Sequence, residues 1–111
     1  MIYHITNLTN WLKASGCKYY EPVSLETEGF IHCSPKEMII EVANSFYRGQ
    51  KDLLLLSIDE SKVESKIIRE DLYEHGFEFP HIYGPLNLDA VTEVNDLICS
   101  RNESFIIPEN I

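Results

Sequence analysis

The chain has 111 residues, 44% of them hydrophobic, and its 9 basic and 18 acidic residues give a net charge of −9. This length predicts one domain, 1–111, with a single core. The negative charge argues against nucleic acid and anionic membranes as partners, because phosphate contacts need clustered basic side chains. No apolar run approaches the roughly 18 residues of a membrane-spanning helix.

The cysteines and the N-terminus together predict a cytoplasmic protein. The first residues show no basic segment followed by an apolar stretch, which is the pattern of a secretory signal. The chain has three cysteines, Cys17, Cys33 and Cys99, without metal-like spacing. An odd number of cysteines without a secretion signal indicates free thiols, each expected as a small core residue.

The first third of the chain predicts two strands and a short helix. Ile2 to Ile5 favours a strand, and Thr6 or Asn7 caps a helix that Gly16 closes. The segment from Lys18 to Leu25 is expected to be extended, with an interruption at Pro22. Phe30 to Cys33 favours the next strand.

The middle of the chain predicts the main helix and the central strand. Ser34, Pro35 and Glu37 have the pattern of a capping box. Apolar residues then recur at helical spacing from Met38 to Phe46. The continuous apolar run Leu53 to Ile58 predicts a strand that is buried on both faces.

The last third predicts further strands, over Lys66 to Arg69, Phe77 to Gly84 and Ala90 to Val94, and one short strand in the tail through Ile106. The order of elements predicts an α+β fold with a mixed or split sheet and two main helices. Glu70, Asp71 and Glu74 have the pattern of a solvated face.

Strand alternation points to a histidine-lined pocket. His32 shares a strand face with Phe30 and Ser34, and His81 shares a face with Tyr83. His4 lies in the first strand, so a pocket lined by His4, His32, His81 and Tyr83 is compatible with the alternation. Each histidine alone is equally compatible with a structural role, in which it donates to a main-chain carbonyl. No local metal-binding motif is present, so we expect no metal.

Several motifs in sequence order resemble one small bacterial family, domain of unknown function 952 (DUF952). They are Tyr3 to Thr6, Glu28 to Ser34, Ala43 to Gly49, Leu54 to Asp59 and Phe79 to Leu86. The resemblance extends from Ile2 to about Val94, with a short tail beyond it. The family carries no established activity.

The resemblance implies a fold like that of the ADP-ribosyltransferases. Tyr3-His4-Ile5-Thr6 is similar to their first strand, whose histidine binds the nicotinamide ribose of NAD. Ile31 to Ser34 is similar to a segment of the RNA 2′-phosphotransferases. Ile5 replaces the glycine of the first motif, and the catalytic glutamate has no assigned counterpart, with Glu70 and Glu78 as nearby candidates.

The leading hypothesis is a domain that binds NAD or a related nucleotide or phosphate ligand, with ADP-ribosyltransferase-like or phosphotransferase-like activity. In this hypothesis His4, Thr6, His32 and Ser34 bind the cofactor, and His32, His81 and Tyr83 carry the catalysis. A protein could serve as acceptor or partner. Two alternatives stay open. One is a binding module that keeps the fold without the chemistry, and the other is a small hydrolase or lyase with a histidine acid–base pair.

Overall fold

The computed structural model describes residues 1–72, 74, 76–99 and 104–111. It contains nine strands and three short α-helices within these ranges. The helices are α1 (Leu8–Ala14), α2 (Ser24–Thr27) and α3 (Ile39–Phe46). The strands are β1 (Ile2–Asn7), β2 (Tyr19–Tyr20), β3 (Ile31–His32), β4 (Leu53–Ile58), β5 (Lys66–Glu70), β6 (Phe79–Tyr83), β7 (Leu86–Asn87), β8 (Val91–Cys99) and β9 (Phe105–Ile106).

The strands form three separate sheets, in the orders β1-β4-β8-β9, β2-β7 and β3-β6-β5. The α+β class and the split sheet are therefore confirmed. Every pairing among the described strands is antiparallel, so the mixed sheet is wrong. For β5 and β6 the reason is the connection of eight residues between them, because parallel neighbours need a crossover of a dozen or more.

The central strand β4 contributes side chains to both parts of the hydrophobic core. All six of its residues are buried, as the continuous apolar run predicts. Leu56 and Ile58 belong to one core cluster, which includes Ile31 and Ile82 from the β3-β6-β5 sheet. Leu53 and Leu55 belong to a second cluster under α3. Because successive side chains of a strand point to opposite faces, one strand contributes to both clusters.

The two helix starts differ in how well the sequence predicts them. Asn7 caps α1 through its side chain, which accepts a hydrogen bond from the Asn10 N–H at 2.7 Å. The capping box before α3 is wrong. A 3-10 turn over Lys36–Met38 precedes that helix, and its cap, Pro35, makes no side-chain bond. The main chain of Ser34 instead exchanges hydrogen bonds with Tyr3, which ties β3 to β1.

Two further differences concern local features. Cys33 is buried as expected, but Cys17 is exposed because it follows the end of α1. The strand expected to end at Val94 continues to Cys99, where it gains β9 as a neighbour. No helix in the described part of the chain is long and apolar enough to cross a membrane.

Candidate functional site

One face of the β3-β6-β5 sheet carries the candidate site. His32 on β3 stands opposite His81 on β6, and Ile68 on β5 stands opposite His81 on the other side. Residues two apart share a face, so Tyr83 and Glu70 lie on the same side as both histidines. The opposite face of this sheet holds Ile31 and Ile82, which are fully buried in the core. The alternation inferred from the sequence thus brings His32, His81 and Tyr83 together.

Phe30 packs at the centre of these side chains. Its ring is stacked on His81, with centroids 4.1 Å apart and planes inclined by 18°. It also contacts His32 at 4.8 Å and Tyr83 at 5.2 Å. The two histidine rings are 5.3 Å apart in an edge-on arrangement. Phe30 is only 5% exposed, so it is the buried apolar side chain against which the three polar rings pack.

A single carboxylate connects His81 with Tyr83. Glu70 Oε1 accepts a hydrogen bond from His81 Nδ1 at 2.8 Å and another from the Tyr83 hydroxyl. The Tyr83 bond, followed by the His81 bond, lowers the pKa of Glu70 below its usual value, because both favour the charged carboxylate. The same bond raises the pKa of Tyr83, because a phenolate would face the carboxylate. Glu70 is therefore the ionised centre of this cluster.

His32 is the more accessible of the two histidines. Its Nε2 lies 2.6 Å from Glu28 Oε2, and the side chains of these two residues are 42% and 37% exposed. The His81 side chain, in contrast, is 3% exposed. The site therefore combines a buried histidine and a solvent-facing histidine, and each of them contacts the carboxylate of a glutamate. We call Phe30, His32, Glu70, His81 and Tyr83 the histidine cluster.

His4 lies next to the histidine cluster and contacts it through the main chain. Its Nδ1 is 2.5 Å from the His32 carbonyl oxygen, and its Nε2 is 2.8 Å from the Tyr20 hydroxyl. The same hydroxyl lies 2.9 Å from Thr6 Oγ1. Burial lowers the pKa of His4 from 6.5 to about 4. Burial also raises the pKa of Tyr20 to about 12. At neutral pH this network therefore consists of uncharged groups.

The positions of Thr6 and Ser34 bear on the predicted cofactor contacts. Both are buried, at 5% and 4% exposure. Thr6 uses its hydroxyl within the His4 network, and Ser34 uses its main chain to join β1. To hold a ribose hydroxyl, His4 would have to exchange its Tyr20 bond for a ligand bond. The roles predicted for His4, Thr6 and Ser34 stay predictions.

A groove of about 830 Å³ adjoins the histidine cluster. Tyr83 lies in its wall, as do Tyr19, Tyr20 and residues of α1 such as Lys13. The groove continues along the segment before β3, where Gly29 is the last lining residue. Its volume is within the range of about 300–1,000 Å³ that is typical of small-molecule sites.

Sequence reasoning did not assign Glu70, Glu28 and Phe30 to the site. The sequence alone assigns Glu70 to a solvated face and also makes it one of two candidates for the missing glutamate. Alternation along β5 is the signal that identifies it. Glu70 lies two residues after Ile68, so the two share a strand face, and Ile68 stands opposite His81. Nothing in the order of residues indicates that β5 pairs with β6 in this register.

Neither a metal centre nor a cysteine nucleophile is evident at the histidine cluster. Among the described residues, no group of three or more His, Cys, Asp or Glu side chains is placed to hold a metal ion. Cys33 follows His32, but its thiol is buried and belongs to the core cluster. Burial raises the pKa of this thiol well above its usual value, so it stays protonated.

The fold and the site define a small α+β domain with a His–Glu–Tyr cluster at the side of an open groove. The chain belongs to a family described as a protein of unknown function, DUF952, whose model matches residues 5–94. This assignment confirms the family resemblance inferred from the motifs.

Solved structures of a similar protein confirm the fold of the chain. The crystal structure of protein CC0527 from Caulobacter crescentus has a TM-score of 0.84 and 30% sequence identity, and the match covers 95% of this chain and 92% of that chain. The solution NMR structure of CC0527 has a TM-score of 0.73 and 29% identity, with 93% and 89% covered. No curated protein matches the chain.

Proposed function

We propose that the protein binds a small nucleotide-like molecule in the groove and that the histidine cluster performs proton transfer on it. The observation that carries this proposal is the position of Tyr83. This residue lies in the wall of the groove, and its hydroxyl donates to Glu70, which also accepts from His81. A ligand in the groove would therefore contact a residue that is bonded directly into a proton-transfer network.

The groove offers the contacts that a nucleotide-like molecule needs. The partly exposed rings of Tyr19 and Tyr83 provide aromatic surface against which a planar base can pack. Lys13 is the cationic side chain in the lining of the groove, which also includes Glu21 and Glu26. A phosphate group would gain most from this side chain, because the overall field of the protein repels anions.

The histidine cluster offers a general base and an acid. When His81 Nδ1 donates its proton to Glu70, Nε2 keeps its lone pair and can act as a proton acceptor, and Tyr83 is the member of the network that a ligand in the groove would contact. The carboxylate also holds the ring in one orientation. His32 is the accessible partner on the neighbouring strand, with Glu28 as its own carboxylate.

NAD is the specific ligand that the family resemblance favours, with an ADP-ribosyltransferase-like activity. Glu70 supports this choice, because an ionised carboxylate beside a groove-lining tyrosine can stabilise the positive charge that develops when nicotinamide leaves ribose. Glu70 thus takes the place of the glutamate that the motifs left unassigned. Lys13 is the proposed contact for the pyrophosphate within the groove, because His32 and Ser34, the contacts predicted from the sequence, are not among its lining residues.

A thermal-shift titration tests the binding. The purified protein is titrated at low salt with NAD, ADP-ribose, nicotinamide and inorganic phosphate. A ligand at about 100 times its dissociation constant stabilises the folded state by about 2.7 kcal/mol. We expect this effect with NAD or ADP-ribose, and we expect it to decrease in Tyr83→Phe and Glu70→Gln. Glu41→Gln, an exposed substitution on α3, is the matched control. No shift with any of the four compounds would overturn the proposal in favour of a binding module without chemistry.

The second candidate function is hydrolysis, which the contact between the two histidine rings favours. With rings 5.3 Å apart, one histidine can act as acid while the other acts as base. Incubation with NAD, followed by chromatography of released nicotinamide, tests both chemistries. Release into water alone would indicate a hydrolase, and release that requires an added acceptor protein would indicate a transferase. Release that is unchanged in His81→Gln would exclude the histidine cluster from either reaction.

A further inference from the structure

One buried residue joins a lining residue of the groove to the strand that carries His32. His4 is 8% exposed, and its two ring nitrogens bond to two different parts of the structure. On one side is the hydroxyl of Tyr20, a buried residue at the lining of the groove. On the other side is the main-chain carbonyl of His32 in the histidine cluster. The ring of His4 also packs edge-on against Tyr20, with centroids 5.4 Å apart.

The direction of these hydrogen bonds follows from simple chemistry. A carbonyl oxygen can only accept, so the proton of the neutral His4 ring must be on Nδ1. Nε2 is then an acceptor and takes the one hydroxyl proton of Tyr20, so the Thr6 hydroxyl is the donor across its 2.9 Å contact with the Tyr20 oxygen. A shift of Tyr20 would therefore act on the ring of His4 and, through Nδ1, on the main chain of His32.

We infer that His4 is a positioning residue that couples ligand binding in the groove to the placement of His32. It acts through protein groups and makes no direct contact with the ligand. The inference rests on the proposed function, because it concerns the same groove and the same histidine cluster. It differs from the role that the family resemblance implies, in which His4 itself holds a ribose hydroxyl.

Two conservative substitutions separate the two bonds. The amide of an asparagine at position 4 reaches about as far as Nδ1, so His4→Asn keeps the bond to His32 and loses the bond to Tyr20. The amide of a glutamine reaches about as far as Nε2, so His4→Gln keeps the bond to Tyr20 and loses the other. Circular dichroism checks that both variants fold, and either one suffices for the test.

The coupling is measured without ligand, as a double-mutant cycle read by NMR. The substitution Tyr20→Phe removes the hydroxyl, and the carbonyl ¹³C resonance of His32 reports the response. We expect this resonance to move when Tyr20→Phe is made in the protein with His4, and to stay in place when it is made in His4→Asn or His4→Gln. A resonance that does not respond in the first case, or that responds equally in all backgrounds, would overturn the inference.

Binding of NAD, used as the probe, adds a second readout. We expect His4→Asn and His4→Gln each to weaken NAD binding about tenfold, which corresponds to about 1.4 kcal/mol. Unchanged affinity in both variants would overturn the functional part of the inference. If NAD, ADP-ribose, nicotinamide and phosphate all fail to bind the unmodified protein, the proposed function fails, whereas the NMR cycle still decides whether His4 couples the two regions.

Discussion

Replacing His4 by glutamine should flatten the dependence of stability on pH. Burial keeps His4 uncharged in the folded protein by lowering its pKa from 6.5 to about 4. The unfolded chain therefore binds a proton, between these two values, that the folded protein does not bind. The contribution of His4 to stability is fully present above pH 6.5 and is lost as the pH falls towards 4. The free energy of unfolding decreases over this range because the unfolded state binds more protons than the folded state.

The size of the effect follows from the two values. At about 1.4 kcal/mol per pKa unit, the full difference corresponds to about 3.5 kcal/mol. Between pH 7.5 and pH 4.5 most of this change has taken place, so we expect a loss of about 2.5 kcal/mol that is due to His4 alone. For a domain with a total stability of about 5–15 kcal/mol, such a loss is readily measured.

Urea denaturation across this pH range is the assay, with His4→Gln as the comparison. Glutamine does not titrate, and the other three histidines of the chain are present in both proteins. The same comparison in a His32→Gln background controls for the neighbouring histidine that acts on His4. We expect the two stability curves to differ in slope by the amount given above. Parallel curves would refute the reasoning, because they would mean that His4 takes up its proton as easily in the folded protein as in the unfolded chain.

Three other substitutions test the histidine cluster and its surroundings. Glu70→Gln should lower the pKa of Tyr83 towards 10, so tyrosinate absorbance should appear at lower pH in an alkaline titration. An unchanged titration would contradict the bond between Glu70 and Tyr83. Phe30→Ala should cost about 3–5 kcal/mol in urea denaturation, because it opens a cavity beneath the cluster, and a loss below about 1 kcal/mol would contradict its central packing. Gly84→Ala should lower the free energy of unfolding by about 1–3 kcal/mol, since the φ of Gly84 is 151° and the new Cβ would lie 2.5 Å from Ser65 Oγ. Equal stability of the two proteins would rule out this strain.

The elements that could be predicted from sequence are those with strong local signals. The apolar run of β4 and the Asn7 cap of α1 depend on neighbouring residues only, and both are present. The face shared by His81 and Tyr83 follows from alternation within one strand. These features need no knowledge of how distant segments pair.

The remaining features depend on contacts between distant segments. The position of Glu70 in the site requires the register of β5 against β6, and the environment of His4 requires Tyr20 to pack against β1. The capping box at Ser34 failed for the same reason, because the main chain of this residue pairs with Tyr3, 31 positions earlier. Such long-range pairings override local preferences.

The five-residue segment from Phe30 to Ser34 has a consequence for how sequences of this family can change. Ile31 and Cys33 belong to the core, Phe30 and His32 belong to the histidine cluster, and Ser34 ties the segment to β1. A one-residue insertion or deletion here would exchange the two faces and place the histidine inside the core. Evolution can therefore replace side chains in this segment one at a time, but it cannot change the segment's length without losing fold and site together.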